Sequence, residues 1–127
     1  GLGERIALTG RIPAAELDAL LAGAALVAFP SVYEGFGIPV LEALAAGVPI
    51  VVGAGTPAAE MAGDPAPVVD PSDPAAWAEA LDLLLSDTDR RHRVARAGLA
   101  RVVGRTWEDS AARLEDAWRR LLAAGGS

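Results

Sequence analysis

Two glutamates with a pair of glycines between them mark the stretch FPSVYEGFGIPVLEALAAGVPIVV, residues 29–52. Glu34 and Glu42 are separated by seven residues that include Gly35, Gly37 and Pro39. Glycine weakens a chain segment entropically, so two of them in a short connector point to a turn that needs unusual backbone angles or close approach. Pro39 suits the first turn of a helix. A helix starting there would aim its unpaired amides, and the positive end of its dipole, at whatever lies over the turn. An anion fits such a place, most naturally a phosphate. Glu42, one turn into the helix, can return its carboxylate toward the same crevice, and Glu34 stands at the turn's entrance. A carboxylate accepting hydroxyl hydrogen bonds is strong and directional, and a nucleotide sugar offers both phosphate and hydroxyls. The same residues also admit a plainer role, with Glu42 satisfying helix amides as in a capping box and Glu34 an ordinary surface acid.

The elements that must position this turn follow from the alternation of short apolar runs with helical patterns, which predicts βα units around a parallel sheet. Strands are expected at residues 5–8, 25–29, 49–52 and 66–69. PAAELDALLAGA places Pro13 at a helix start with Leu17, Leu20 and Leu21 on one face, and IPVLEALAAG runs from Pro39 to Gly47. PAAEMAG is at most two helical turns. The rest reads as helix: DPAAWAEALDLLLSD with Trp77, Leu81, Leu84 and Leu85 on one stripe, then residues 89–103, then TWEDSAARLEDAWRRLL with Thr106 as N-cap and Trp107, Leu114, Trp118 and Leu121 at helical spacing. The tryptophans are expected as core anchors. No repeat, low-complexity tract or linker precedes the closing Gly-Gly-Ser. In an open parallel sheet ligands bind at the carboxyl ends of the strands, where the turn of residues 31–37 falls.

Composition narrows the chemistry. The 127 residues, 52% of them hydrophobic, suffice for one globular unit with a sizeable core. The absence of cysteine excludes a disulfide framework and thiolate chemistry, and the single His92, read as an exposed imidazole, leaves no cluster for a zinc site. No metal is expected. A net charge of -6 argues against a nucleic-acid partner. No apolar run reaches the roughly 18 residues of a membrane span and no signal peptide is visible, so a cytoplasmic protein is the expectation. Charge is unevenly placed: residues 60–89 carry eight acids and no base, whereas Arg90, Arg91, Arg93, Arg96, Arg101 and Arg105 follow with no acid before Glu108. An Arg-rich helix could make peripheral contact with anionic lipid, although a solvated face is the plainer reading.

Taken in order, FPSVYEGFGIPVLEALAAGVPIVV, TPAAEMAGD, VVDPSDPAAWAEAL and RTWEDSA resemble the C-terminal half of the retaining family 4 glycosyltransferases, also described as glycosyl transferases group 1, which have the GT-B fold. The resemblance runs over nearly all of the chain and implies a fold and roles. The fold is α/β, a Rossmann-like parallel sheet flanked by helices, forming a truncated C-terminal domain over residues 1–127. Glu34 and Glu42 match the paired glutamates of the family motif, the first on the catalytic side near the donor sugar's hydroxyls, the second on the ribose hydroxyls. The amides of Gly35, Phe36, Gly37 and Ile38 would meet the diphosphate. TGRIP resembles the nucleobase loop, so the backbone near Arg11 and Ile12 would read the base edge. The donor is then a nucleotide-diphosphate sugar, with no cofactor and no metal, and anomeric configuration is retained.

The same resemblance implies missing parts. The N-terminal domain that supplies the acceptor site is not in these residues, nor is the Arg and Lys pair that the family brings to the diphosphate; this chain has no lysine at all. It is expected to hold half of a donor site and to be inactive alone. Two other readings stay open. GAGTPA, Gly53 to Ala58, formally fits the dinucleotide pattern Gly-x-Gly-x-x-Ala, but its helix would stop by Gly63 and its strand would not be the first. A non-catalytic α/β interaction module is the other. In the doubly wound strand order the missing strands would leave residues 25–29 as a bare edge. The expectation is that residues 5–8 pair beside it, or that the edge is repaired in a homodimer.

Overall fold

Ile50–Gly53 reads IVVG, β-branched and free of polar side chains, and becomes the centre of the sheet with all four residues buried. The structure, a computed structural model, describes residues 1–124; the closing Gly-Gly-Ser lies outside the described residues. Strands β1 (Val27–Phe29), β2 (Ile50–Gly53) and β3 (Val68–Val69) run parallel in the order β1-β2-β3. Val27 lies opposite Ile50, Phe29 opposite Val52, and Val52 opposite Val68. The helices are α1 (Ala14–Gly23), α2 (Ile38–Ala45), α3 (Pro57–Ala62), α4 (Pro74–Ser86), α5 (Thr88–Val102) and α6 (Trp107–Ala124). The fold is α/β, a parallel sheet flanked by helices.

Because successive strand residues face opposite sides, β2 divides the core in two. Ile50 and Val52 pack with Val40, Ala43 and Leu44 of α2 and with Ala58 and Ala62 of α3. Val51 faces the other way, toward Val69, Trp77, Ala80, Leu84 and Val94. Helix α5 closes over both layers: Val94 enters the second, and Gly98 lies so tightly on Leu44 that a Cβ there would stand 2.5 Å from Leu44 Cδ2.

Helix ends are set locally. Asp73 accepts from the amides of Ala75 and Ala76, both at 3.0 Å, to start α4, and Asp87 accepts from Arg90 N–H at 2.8 Å to start α5. Helix α2 ends in a paired closure, Gly47 N–H to Leu44 and Val48 N–H to Ala43, with Gly47 at φ +69° as such an ending requires.

Three expectations are corrected. Residues 5–8 form no strand: Leu2–Arg5 is a 3-10 turn, Ile6 is extended but unpaired with the sheet, and Leu8 is 94% exposed. An extended run becomes a strand only when a partner takes up its backbone groups, and none is offered here. Pairing of residues 5–8 beside β1 is therefore not formed, and β1 is an outer strand of the sheet. Of the tryptophans only Trp77 anchors the core, its indole N–H donating to the Asp70 carbonyl at 3.0 Å; Trp107 and Trp118 are exposed. Leu20 and Leu85 are likewise exposed, since each lies on a helix flank that meets no second layer.

Candidate functional site

The carboxyl ends of the three strands deliver their loops to one place, centred on Gly53. A Cβ on Gly53 would stand 2.6 Å from the Ser31 carbonyl oxygen, which follows β1, and 3.1 Å from Pro71, which follows β3. Only glycine lets these loops cross so closely over the end of β2. Thr56, buried, donates its hydroxyl to the Gly53 carbonyl at 3.1 Å and so fixes the return of the chain into α3. Beyond β3, Asp70 takes both the amide and the hydroxyl of Ser72, at 2.9 and 2.7 Å. The Ser72 backbone bond, followed by the hydroxyl, holds the Asp70 carboxyl below its ordinary value.

The turn between β1 and α2 lies on this edge. Ser31 Oγ sits 2.9 Å from the Tyr33 carbonyl and 3.3 Å from Glu34 Oε1, so one hydroxyl ties both ends of the entrance. Glu34 is half-buried, while Val32, Tyr33, Phe36 and Ile38 project outward as exposed apolar side chains. Gly37 is buried, has φ +90° and serves as the N-cap of α2, its carbonyl accepting from Val40 and Leu41. Ala58 of α3 lies beside it, its Cα and Cβ 3.4 and 3.5 Å from where a Cβ would stand, an ordinary contact distance.

The two glycines of the turn thus differ. Gly37 answers a positive φ, with Ala58 at ordinary contact distance, whereas Gly35 has open space around it and an ordinary φ, correcting the expectation that both were needed for backbone angles and close approach. Glu42 is exposed on α2 and lines a hollow of about 340 Å³ with Asp18 and Leu21 of α1 and with Ala45 and Ala46. Arg11 and Ile12 precede α1, and Ile12 lines a separate hollow of about 420 Å³ with Thr9, Glu16, Ala19 and Leu20. Glu34, Phe36, Gly37 and Ile38 are therefore gathered on the turn, with Glu42 one helical turn beyond. Sequence reasoning missed Gly53 and Thr56 as the crossing point of the loops. GAGTPA was the available signal, and it marks a loop packed by glycine above a six-residue helix that ends at Gly63.

The chain has counterparts among known proteins. The family pattern described as Glycosyl transferases group 1 matches residues 1–101. The chain belongs to that family. It is 40% identical over 111 residues to D-inositol 3-phosphate glycosyltransferase of Corynebacterium urealyticum, covering 86% of this chain and 26% of that protein. With O-antigen chain mannosyltransferase B of Escherichia coli it shares 39% identity over 113 residues, 88% of this chain and 29% of the relative. Among solved structures, sucrose-phosphate synthase from Thermosynechococcus elongatus superposes with a TM-score of 0.86 at 29% identity, over 97% of this chain and 32% of that one. The family member described here thus spans under a third of the length of these relatives. Among the described residues no helix is long and apolar enough to cross a membrane.

Proposed function

We propose that this chain is the donor-binding, C-terminal portion of a retaining nucleotide-sugar-dependent glycosyltransferase of family 4, whose acceptor domain belongs to a longer polypeptide. The reading is carried by one observation: a buried, positive-φ glycine caps the N-terminus of α2 in the loop that leaves the carboxyl end of β1, with α3 beside it. Amides at a helix N-terminus favour an anion, and the donor's diphosphate supplies one. In this reading the amides of Gly35, Phe36, Gly37 and Ile38 hold the diphosphate and Glu42 takes the ribose hydroxyls. Glu34, steadied by Ser31, faces the sugar hydroxyls, and the backbone near Arg11 and Ile12 meets the base. No metal or cofactor has a role, and the protein acts in the cytoplasm.

Calorimetric and NMR titration with ADP, GDP and UDP tests this. At least one should bind with amide shifts concentrated at residues 34–42. Glu42→Ala should weaken binding roughly tenfold, the scale of one lost charge-assisted hydrogen bond. Shifts that map elsewhere overturn the site. The chain alone should neither transfer nor hydrolyse a donor above a buffer blank, since the acceptor side is supplied from outside it.

A further inference from the structure

Helix α3 has six residues, about 9 Å of helix, too short to hold its own shape in water. Its N-terminal half is the wall behind the glycine turn, because Ala58 is the residue that lies beside Gly37. Its C-terminal carbonyls have no partner within the helix beyond that of Ala59, which accepts from Gly63 N–H at 3.0 Å. The next two are taken by one side chain from the far end of α5. Arg101 donates Nε to the Met61 carbonyl at 3.1 Å and Nη2 to the Glu60 carbonyl at 3.0 Å. Gly63, at φ +59°, makes room for this: a Cβ there would overlap the Arg101 guanidinium. The charge also suits the negative end of the α3 dipole.

We propose that Arg101 is a positioning residue for the glycine-turn site. Its planar fork holds α3 at the C-terminal end, so that Ala58 stays seated against Gly37 and the first amides of α2 keep a fixed direction. When the fork is removed, α3 tilts, the wall behind Gly37 recedes, and the turn loosens although no residue of the turn has changed. The effect on ligand affinity rests on the donor-site reading above; the mechanical coupling from Arg101 through α3 to the turn does not.

The molecule contains its own control. Arg91, also on α5, donates to the Leu84 and Leu85 carbonyls at 3.1 and 3.0 Å and so closes the end of α4 in the same manner, on a helix that does not back the turn. Amide hydrogen exchange on the wild-type protein, Arg101→Ala, Arg101→Lys and Arg91→Ala separates the two.

Arg101→Ala should lower protection of Gly63, whose N–H closes the end of α3, and of Val40 and Leu41, which donate to the Gly37 carbonyl, by roughly tenfold, the scale of a hydrogen bond from a charged donor. Arg101→Lys, which keeps the charge but not the fork, should fall between. Arg91→Ala should loosen only the end of α4. Titration with ADP, GDP and UDP should show affinity lowered about five- to tenfold in Arg101→Ala and unchanged in Arg91→Ala, as expected for one charged hydrogen-bond donor lost.

Three results overturn the proposal. One is α3 opening without any change at Val40 and Leu41. Another is Arg91→Ala loosening the turn equally. The third is a wild-type nucleotide affinity that Arg101→Ala leaves intact. If the wild type binds none of the three nucleotides, the donor-site reading fails, and the exchange data still decide the coupling.

Discussion

In α2, Val40, Ala43 and Leu44 are sealed between β2, α3 and α5, with at most 1% exposure. In α6, Trp107, Leu114, Trp118 and Leu121 stand at equally regular helical spacing, and every one is exposed. Both are well-formed helices, so their difference separates two things that a sequence pattern merges. Helix formation is local: α6 is started by Thr106, whose hydroxyl accepts from Asp109 N–H at 3.2 Å, and is steadied by the pairs Glu115–Arg119 and Asp116–Arg120 four residues apart. Burial needs a second surface, and among the described residues α6 buries none of its side chains. An apolar stripe states that a face exists and leaves open what covers it.

That comparison can be broken by substitution. Leu44→Ala should cost about 2–5 kcal/mol, the range for a large buried side chain cut to a methyl. Leu121→Ala should stay within about 0.5 kcal/mol, as exposed sites do. Parallel urea denaturation of the two variants measures both, and similar losses would mean that α6 is packed after all.

Capping sharpens it at smaller scale. Asp73→Ala leaves the Ala75 and Ala76 amides unpaired on α4, a helix fixed in the core by Trp77 and Leu84, and should lower global stability by about 1 kcal/mol. Thr106→Ala removes the corresponding bond from α6. Because α6 has no buried residue, far-UV helicity should fall without a shift of the denaturation midpoint.

The smallest expected effect is a pH dependence. Asp70 is held below its ordinary carboxyl value by Ser72, so the folded state favours its ionised form. The resulting stabilisation is fully present above the unfolded value, 3.8, and is lost as pH falls through the lower folded value. Asp70→Asn removes that contribution, so stability should fall by a small constant amount at neutral pH, and the gap from the wild type should close as pH drops below about 4. No residue of the glycine turn need be touched to observe it.

Much of the fold was legible because its signals are local and mutually consistent. Ile50, Val51 and Val52 form an unbroken β-branched run, Pro39 and Gly47 bracket α2, and Asp73 precedes an apolar helical stripe. The turn from Glu34 to Ile38 could be found from its glycines and the following helix start. The errors share a cause. Residues 5–8, Leu20, Leu85, Trp107 and Trp118 are apolar or regularly spaced, but each needs a neighbour from another layer, and no local pattern says whether it is there. Gly35 and Gly37 look alike in the string, and only the folded backbone distinguishes them, through the positive φ of Gly37.

The sequence by itself determined where the six α-helices and the apolar runs of β1, β2 and β3 lie, where α2 begins and ends, the absence of thiol chemistry, and the motif order by which the chain resembles its family. These rest on φ/ψ preference, capping and side-chain period, all of which act within a few residues. Tertiary structure alone decided that β2 is central, that Gly53 is where three loops cross, that Gly98 admits Leu44, and that Arg101 reaches forty residues back to close α3. Those facts are contacts between distant segments, and such contacts exist only once the chain has folded them together.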